Sequence, residues 1–297
     1  MKIRSISVEG IRSIRQLKID FLDPATRRPR LRTVIAGSNG SGKTTLMEII
    51  FDLCAYLTRE SLTDTNLSRW RRGEMVMEIA DLLPASVTPP SDWPVGGDLL
   101  TVCHGLDYGL SLPSQPGYGW PGESVRPRAL FEVWSRLITD NWFTGRPFGG
   151  VVYFPSEGRM YRPPEGGSIQ DESLLPQWAY RQSPDQQWKG SLESYLVWLD
   201  YRDLRESQHN GNRGNRFAEF VAAANSFLLG KKITGVNERL RVQVTTDDGI
   251  VLGLEDLSSG ELQILMFMGE VQRRLNPGSI LLIDEPEIHL HPDWQRH

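Results

Sequence analysis

Apolar and polar residues alternate with period two at the start of the chain, in IRSISVEG and again in IRQLKIDF. The interruption from Gly10 to Ser13 predicts two strands joined by a turn. A third strand is expected over Leu31 to Ala36, running straight into a glycine-rich stretch. The periodicity then changes: Leu46, Ile49, Ile50, Leu53 and Leu57 fall on one side of a helical repeat, so Lys43 to Leu57 predicts a helix with an apolar face. From about Ser61 to Gly150 the apolar runs become short and prolines and glycines frequent, as in ASVTPPSDWPVGG. Short strands are expected there over Glu74 to Ile79, Leu99 to Cys103, Leu106 to Leu112 and Leu130 to Trp134. This gives an organisation of an N-terminal core segment at 1–60, an irregular insertion at 61–150, and a return to the core at 151–297.

Beyond the insertion, Gly150 to Phe154 is an apolar run ending at Pro155 and suits a buried strand, and RMYRPPEGGSIQDE after it reads as a loop. Leu192 to Arg205 and Arg216 to Leu229 carry helical spacing. Leu240 to Thr245 and Ile250 to Leu254 flank Asp247, Asp248 and Gly249, whose Asp-Gly dipeptide predicts a hairpin turn. Glu261 to Arg273 is the last predicted helix. Ile280 to Ile283 is a four-residue apolar run of the kind found in parallel strands buried on both faces.

Composition narrows what these elements can be doing. The chain has 297 residues and a formal net charge of −4, which argues against a surface built throughout for phosphate backbones. Arg27, Arg28, Arg30 and Arg32 form one local basic cluster, and Arg69, Arg71 and Arg72 another. Neither has the interleaved aromatics of a strand-binding groove, so solvated loops are the expectation for both. Cys54 and Cys103 have no disulfide or zinc spacing, and Cys54 is expected to pack as a small hydrophobe. The N-terminus lacks a continuous apolar stretch and no segment approaches a membrane-spanning length, so the cytoplasm is the expected compartment, with no membrane partner.

The chemistry is concentrated in three stretches. GSNGSGKT, from Gly37 to Thr44, sits between a predicted strand and a predicted helix, the setting in which such a loop wraps phosphates. Its glycines (Gly37, Gly40, Gly42) free the backbone, and the N–H groups of Asn39, Ser41 and their neighbours through Thr45 face the anion at the positive end of a helix. Lys43 would reach the β- and γ-phosphates and the Thr44 hydroxyl would ligand Mg²⁺, making ATP and Mg²⁺ the expected cofactors. Asp284, at the end of the Ile280 to Ile283 run, is a second Mg²⁺ ligand candidate. Glu285 beside it is the candidate general base. In LSSGE, Leu257 to Glu261, Ser258 and Gly260 stand at the start of a helix and would offer a hydroxyl and free N–H groups as a second anion site. The competing reading is an ordinary serine cap.

With these motifs in that order the chain resembles the ABC-type ATPases, whose signature sequence LSGGQ becomes LSGGE in chromosome-maintenance and RecF-like branches. About 210 residues separate phosphate loop and signature here, too many for a transporter subunit, and no heptad run supplies a chromosome-maintenance coiled coil. What remains is similar to the RecF-like and OLD-like ATPases of the AAA-21 or AAA-15 type. Their DEPExHLHPxWQ pattern is matched from Asp284 to Gln295 and their YxPSE-like strand end from Tyr153 to Glu157. The resemblance implies an α/β P-loop NTPase with an ABC-ATPase-like head: a mixed β-sheet core, an antiparallel N-terminal β region and a smaller helical lobe. It implies a head-to-tail homodimer, or a higher oligomer built on it, in which the signature of one subunit closes on ATP held by the other. The implied activity is ATP hydrolysis that gates an effector protein, a nuclease in anti-phage defence. The open alternatives are a DNA-repair or recombination ATPase that clamps DNA itself, and a structural subunit with little hydrolysis.

The same resemblance places Arg12, in GIRSI, among candidate nucleotide ligands, alongside the reading of a plain surface arginine. Ser156 and Glu157 are weak substitutes for the family's Mg²⁺-sensing glutamine. His289 and His291 lie in the segment that would face the partner, and neither is the family's switch histidine. That family pattern continues past the equivalent of His297, so the sequence is expected to be a fragment of a longer ATPase and could be inactive in this form.

Overall fold

The computed structural model describes residues 1–57, 70, 73–93, 99–104, 127–143, 147–156, 178–182, 192–210 and 215–285. The chain divides into two compact units. One comprises Met1–Pro155, Pro176–Arg181 and Leu275–Asp284; the other comprises Ser156–Leu175, Gln182–Arg274 and Glu285–His297.

The first unit opens with β1 (Lys2–Ile11) and β2 (Ile14–Asp20), paired antiparallel through a two-residue turn, Arg12–Ser13. Ile6, Val8, Ile11 and Ile14 are buried, as the alternation requires. Two strands from the expected insertion, β3 (Glu74–Ala80) and β4 (Leu99–His104), extend this sheet in the order β2-β1-β3-β4. Met75, Met77, Ile79, Leu100 and Val102 are fully buried in the same core, so this stretch supplies load to the sheet as well as connecting it. Leu106–Leu112 lies outside the described residues.

The helix α1 (Lys43–Tyr56) buries each of the five positions its periodicity picked out, Leu46, Ile49, Ile50, Leu53 and Leu57, at 0–2 % exposure. It packs on a second, parallel sheet in the order β10-β5-β6, formed by β5 (Val151–Phe154), β6 (Ala179–Arg181) and β10 (Ile280–Ile283). The antiparallel and parallel parts of the unit are thus separate sheets sharing one core.

Three expectations are corrected in this unit. Leu130–Trp134 is not a strand but part of a helix, α2 (Pro127–Phe143), in which Val133 and Trp134 face the core. The helical repeat only becomes evident over a longer window than the run ALFEVW. Leu31–Ala36 forms no regular strand. Among the described residues no neighbouring strand pairs with it, and Leu31 and Val34 are exposed while Ile35 touches the core. Strand β10 is not buried on both faces: it ends its three-stranded sheet, and Leu281 is 36 % exposed.

The second unit packs α3 (Leu192–Asn210), α4 (Arg216–Asn225) and α5 (Ser259–Arg274) with an antiparallel sheet in the order β7-β8-β9. Its strands are β7 (Lys231–Val236), β8 (Val242–Thr246) and β9 (Val251–Leu252). The Asp-Gly turn closes as expected, with Gly249 at φ +82° and its N–H donating to Thr246 O. Helix α4 stops at Asn225, four residues short of expectation, because the Asn225 side chain accepts the Ile233 N–H and turns the chain into β7.

Candidate nucleotide-binding site

The Gly37–Thr44 loop lies on the surface and runs into α1. Gly42, at φ +98°, is the residue from which the helix starts: its carbonyl accepts the Leu46 N–H at 2.8 Å. A Cβ at Gly42 would stand 2.8 Å from Ile14 Cγ1, so glycine both permits the left-handed turn and lets the loop lie against the β1–β2 hairpin. Gly40, at φ +78°, makes the other left-handed bend.

Lys43 Nζ folds back over the loop and donates to Gly37 O at 2.8 Å and Ser38 O at 3.1 Å. The first turn of α1 contains no acid, so the partial positive charge of the helix end adds to the ammonium. Asn39, Gly40 and Ser41 are exposed, while Thr45 is buried.

The parallel pairing of β5 and β10 brings the acidic motif to this loop. Ile283 is in register with Phe154, and the Asp284 N–H donates to Phe154 O at 2.9 Å. The Asp284 carboxylate, 4 % exposed, accepts the Thr44 hydroxyl at 2.7 Å. Two hard oxygen donors within one hydrogen bond of each other fit a Mg²⁺ ion that takes its remaining ligands from phosphate and water. Glu285 follows at φ +50°, a left-handed conformation rare for glutamate. Such strain is common at working sites but does not itself assign a role.

Arg12 lies in the β1–β2 turn, also left-handed at φ +50°. Its Nη1 is 3.4 Å from Thr45 Oγ1 and 2.9 Å from Glu48 Oε2, and its guanidinium covers the Trp70 ring at 4.7 Å. Glu48 also accepts Arg181 Nη2 at 3.0 Å, and Asp52, one turn on, accepts Trp70 Nε1 at 2.8 Å. Glu48, Arg181 and Trp70 were not singled out in the sequence. The available signal was two acids four residues apart on an otherwise apolar helix, which can be buried only if donors meet them.

In the other unit, Ser258 is exposed and Gly260 half-buried at the start of α5. The expectation of a free serine hydroxyl is corrected. Ser258 N–H and Oγ–H both donate to Glu261 Oε2 at 2.8 Å, and the Glu261 N–H donates back to Ser258 Oγ at 3.3 Å, a reciprocal capping box. Lys231 Nζ reaches the same carboxylate at 2.9 Å. Burial raises the Glu261 pKa, but the Lys231 ammonium and the two Ser258 donors outweigh it and hold the group below its ordinary value. The N–H groups of Ser259 and Gly260 take no part in this box.

Ser156 lies just past β5, whereas Glu157, His289, His291, Arg69, Arg71 and Arg72 lie outside the described residues. Arg27, Arg28, Arg30 and Arg32 are exposed on the loop that follows β2.

Residues 173–297 match the family model described as "AAA domain, putative AbiEii toxin, Type IV TA system", and residues 5–76 match a model described as "AAA domain". Both matches are to AAA domains. The first match takes in the capping box and Asp284, and the second takes in the phosphate loop and Arg12. The chain is also 37 % identical over 65 residues to the "Retron Ec83 probable ATPase" of Escherichia coli, an alignment covering 18 % of this chain and 12 % of that protein. Among solved structures it aligns with that described as "Crystal structure of the SmcHead bound to the C-winged helix domain of ScpA", at a TM-score of 0.40 and 11 % identity. That alignment covers 98 % of this chain and 90 % of the other. No helix among the described residues is long and apolar enough to cross a membrane.

Proposed function

We propose that this protein is a cytoplasmic ATPase that dimerises around ATP and gates a partner effector, with a nuclease of anti-phage defence as the favoured partner. The observation that carries the ATPase reading is the Thr44–Asp284 hydrogen bond. It joins two motifs 240 positions apart at the positive end of α1. Lys43 exchanges the loop carbonyls for phosphate oxygens, and the loop N–H groups orient the phosphates. Thr44 and Asp284 hold Mg²⁺, whose contribution is to neutralise charge developing on the phosphate oxygens. Glu285 takes the proton of the attacking water. The N–H groups of Ser259 and Gly260 in a second copy close over the phosphate, which couples nucleotide occupancy to assembly. Similarity to the retron ATPase supports the ATPase reading, and the defence setting and the dimer rest on the resemblance of the DEPExHLHPxWQ and LSSGE stretches to their families' patterns.

The test compares Lys43→Ala with Glu285→Gln. Lys43→Ala is expected to abolish nucleotide binding. Glu285→Gln is expected to bind ATP, release phosphate at least about a hundredfold more slowly, as for loss of a general base, and accumulate as a dimer in light scattering. Parental turnover in Glu285→Gln would remove Glu285 as the base.

A further inference from the structure

The Arg12–Glu48–Arg181 cluster has one more cation than its carboxylate needs. Glu48 is 9 % exposed and is bridged by at least two guanidinium groups, Arg12 at 2.9 Å and Arg181 at 3.0 Å. The two arginines are not held alike. Arg181 is 31 % exposed, stands at the end of a core strand and lies over the buried Tyr153 ring at 5.2 Å. Arg12 also lies over an aromatic ring, that of Trp70 at 4.7 Å, but it is 52 % exposed on a two-residue turn and sits beside Thr45, at the edge of the phosphate loop.

A buried carboxylate stripped of its counter-charges is strongly destabilising, whereas one that loses a single partner of two remains compensated. Arg12 can therefore leave Glu48 while Arg181 stays. The surroundings favour an anion for it: Lys43 and the acid-free first turn of α1 already make the loop positive, and a guanidinium suits a phosphate bidentately.

We infer that Glu48 docks Arg12 at the edge of the loop in competition with phosphate, and that Arg181 is the fixed counter-ion that frees Arg12 to clasp the nucleotide's phosphates. The inference rests on the reading that this loop takes nucleotide. When phosphate arrives, Arg12 trades a carboxylate for a phosphate oxygen, and Glu48 keeps Arg181. No bond is made or broken and the charges balance at each step.

The experiment is an equilibrium titration of the full chain with a fluorescent ATP analogue in the presence of Mg²⁺, with thermal melting as a folding control. If the parent fails to bind, or Lys43→Ala binds as well as the parent, the nucleotide reading itself falls. If those two behave as expected, the arginine cluster is tested separately. Arg12→Gln should weaken binding about tenfold or more, the worth of a charge-assisted hydrogen bond, and Arg12→Lys should recover part of it. Arg181→Gln should also weaken binding, because Glu48 then retains Arg12, although Arg181 itself touches no phosphate. The double variant Glu48→Gln with Arg181→Gln should restore affinity, since no carboxylate is left to compete. A merely structural role predicts the opposite, that the double variant is no better than the single. Parental affinity in a folded Arg181→Gln, or no recovery in a folded double variant, overturns the inference. If Arg181→Gln does not fold, Glu48→Gln alone decides: affinity above the parent supports the inference, and affinity equal to or below the parent overturns it.

Discussion

A carboxylate in a protein interior needs donors, and Asp52, Glu48 and Asp284 show where this molecule finds them: an indole N–H, two guanidinium groups and a threonine hydroxyl. Each donor lies far from its acid in sequence; the motifs placed Asp284 beside the phosphate loop as a Mg²⁺ ligand with Thr44, but did not give the direct hydrogen bond between the two side chains. Cys54 is the contrasting case, a group buried with nothing to ionise it. It sits on the core face of α1 at 0 % exposure, and burial pushes its thiol up to about 12. The thiolate is the reactive form, so Cys54 should stay unmodified by iodoacetamide at pH 8 in the folded protein and be alkylated after denaturation. Peptide mass mapping before and after unfolding checks this, and rapid labelling of Cys54 in the native state would contradict its burial.

Elements were legible where one periodicity ran long enough to exclude the other. Helix α1 satisfied its pattern residue by residue, and β1 and β2 satisfied theirs. The stretch at Leu130 failed because five residues of alternating size fit a strand or one side of a helix equally, and burial of Trp134 against Trp93 and Trp178 settled it. Strand β6 is three residues long and has no periodicity to read.

The cap of α5 makes a prediction at this level. Glu261 has a folded-state pKa below its ordinary value, so the stability it contributes is present above the ordinary carboxylate range and is lost as pH falls through and below that range. Glu261→Gln should lower the urea midpoint at pH 7, and the gap between variant and parent should narrow toward pH 3. Removing the Ser258 side of the box with Ser258→Ala should cost about 1 kcal/mol. A gap that widens on acidification would refute the assignment of that charge to the capping box.

At the scale of the molecule, the phosphate loop with Asp284 belongs to one compact unit and the LSSGE helix to the other, so the two elements proposed to face phosphate lie in different units. If the ATP site is completed by a second copy, two differently damaged chains should repair each other. Lys43→Ala spoils one half-site and Gly260→Asp the other, and a mixed dimer puts both defects in one site and leaves its second site whole. Random pairing of equal amounts should then recover about one quarter of parental turnover, measured as phosphate release, from two variants that are each inactive alone. Failure to recover activity from well-folded, co-assembling variants would argue for a site completed within one chain. The order of motifs and the strong periodicities were set by the sequence itself, because a glycine that must turn left-handed, an apolar helix face and a capping serine are local requirements that neighbouring residues reveal. Which strand lies beside which, that Glu74–Ala80 and Leu99–His104 belong to the N-terminal sheet, that the Thr44 hydroxyl donates directly to Asp284, and that one glutamate gathers Arg12 and Arg181 were decided only by the tertiary structure. Those contacts depend on parallel register and shared burial between distant segments, and no local pattern encodes them.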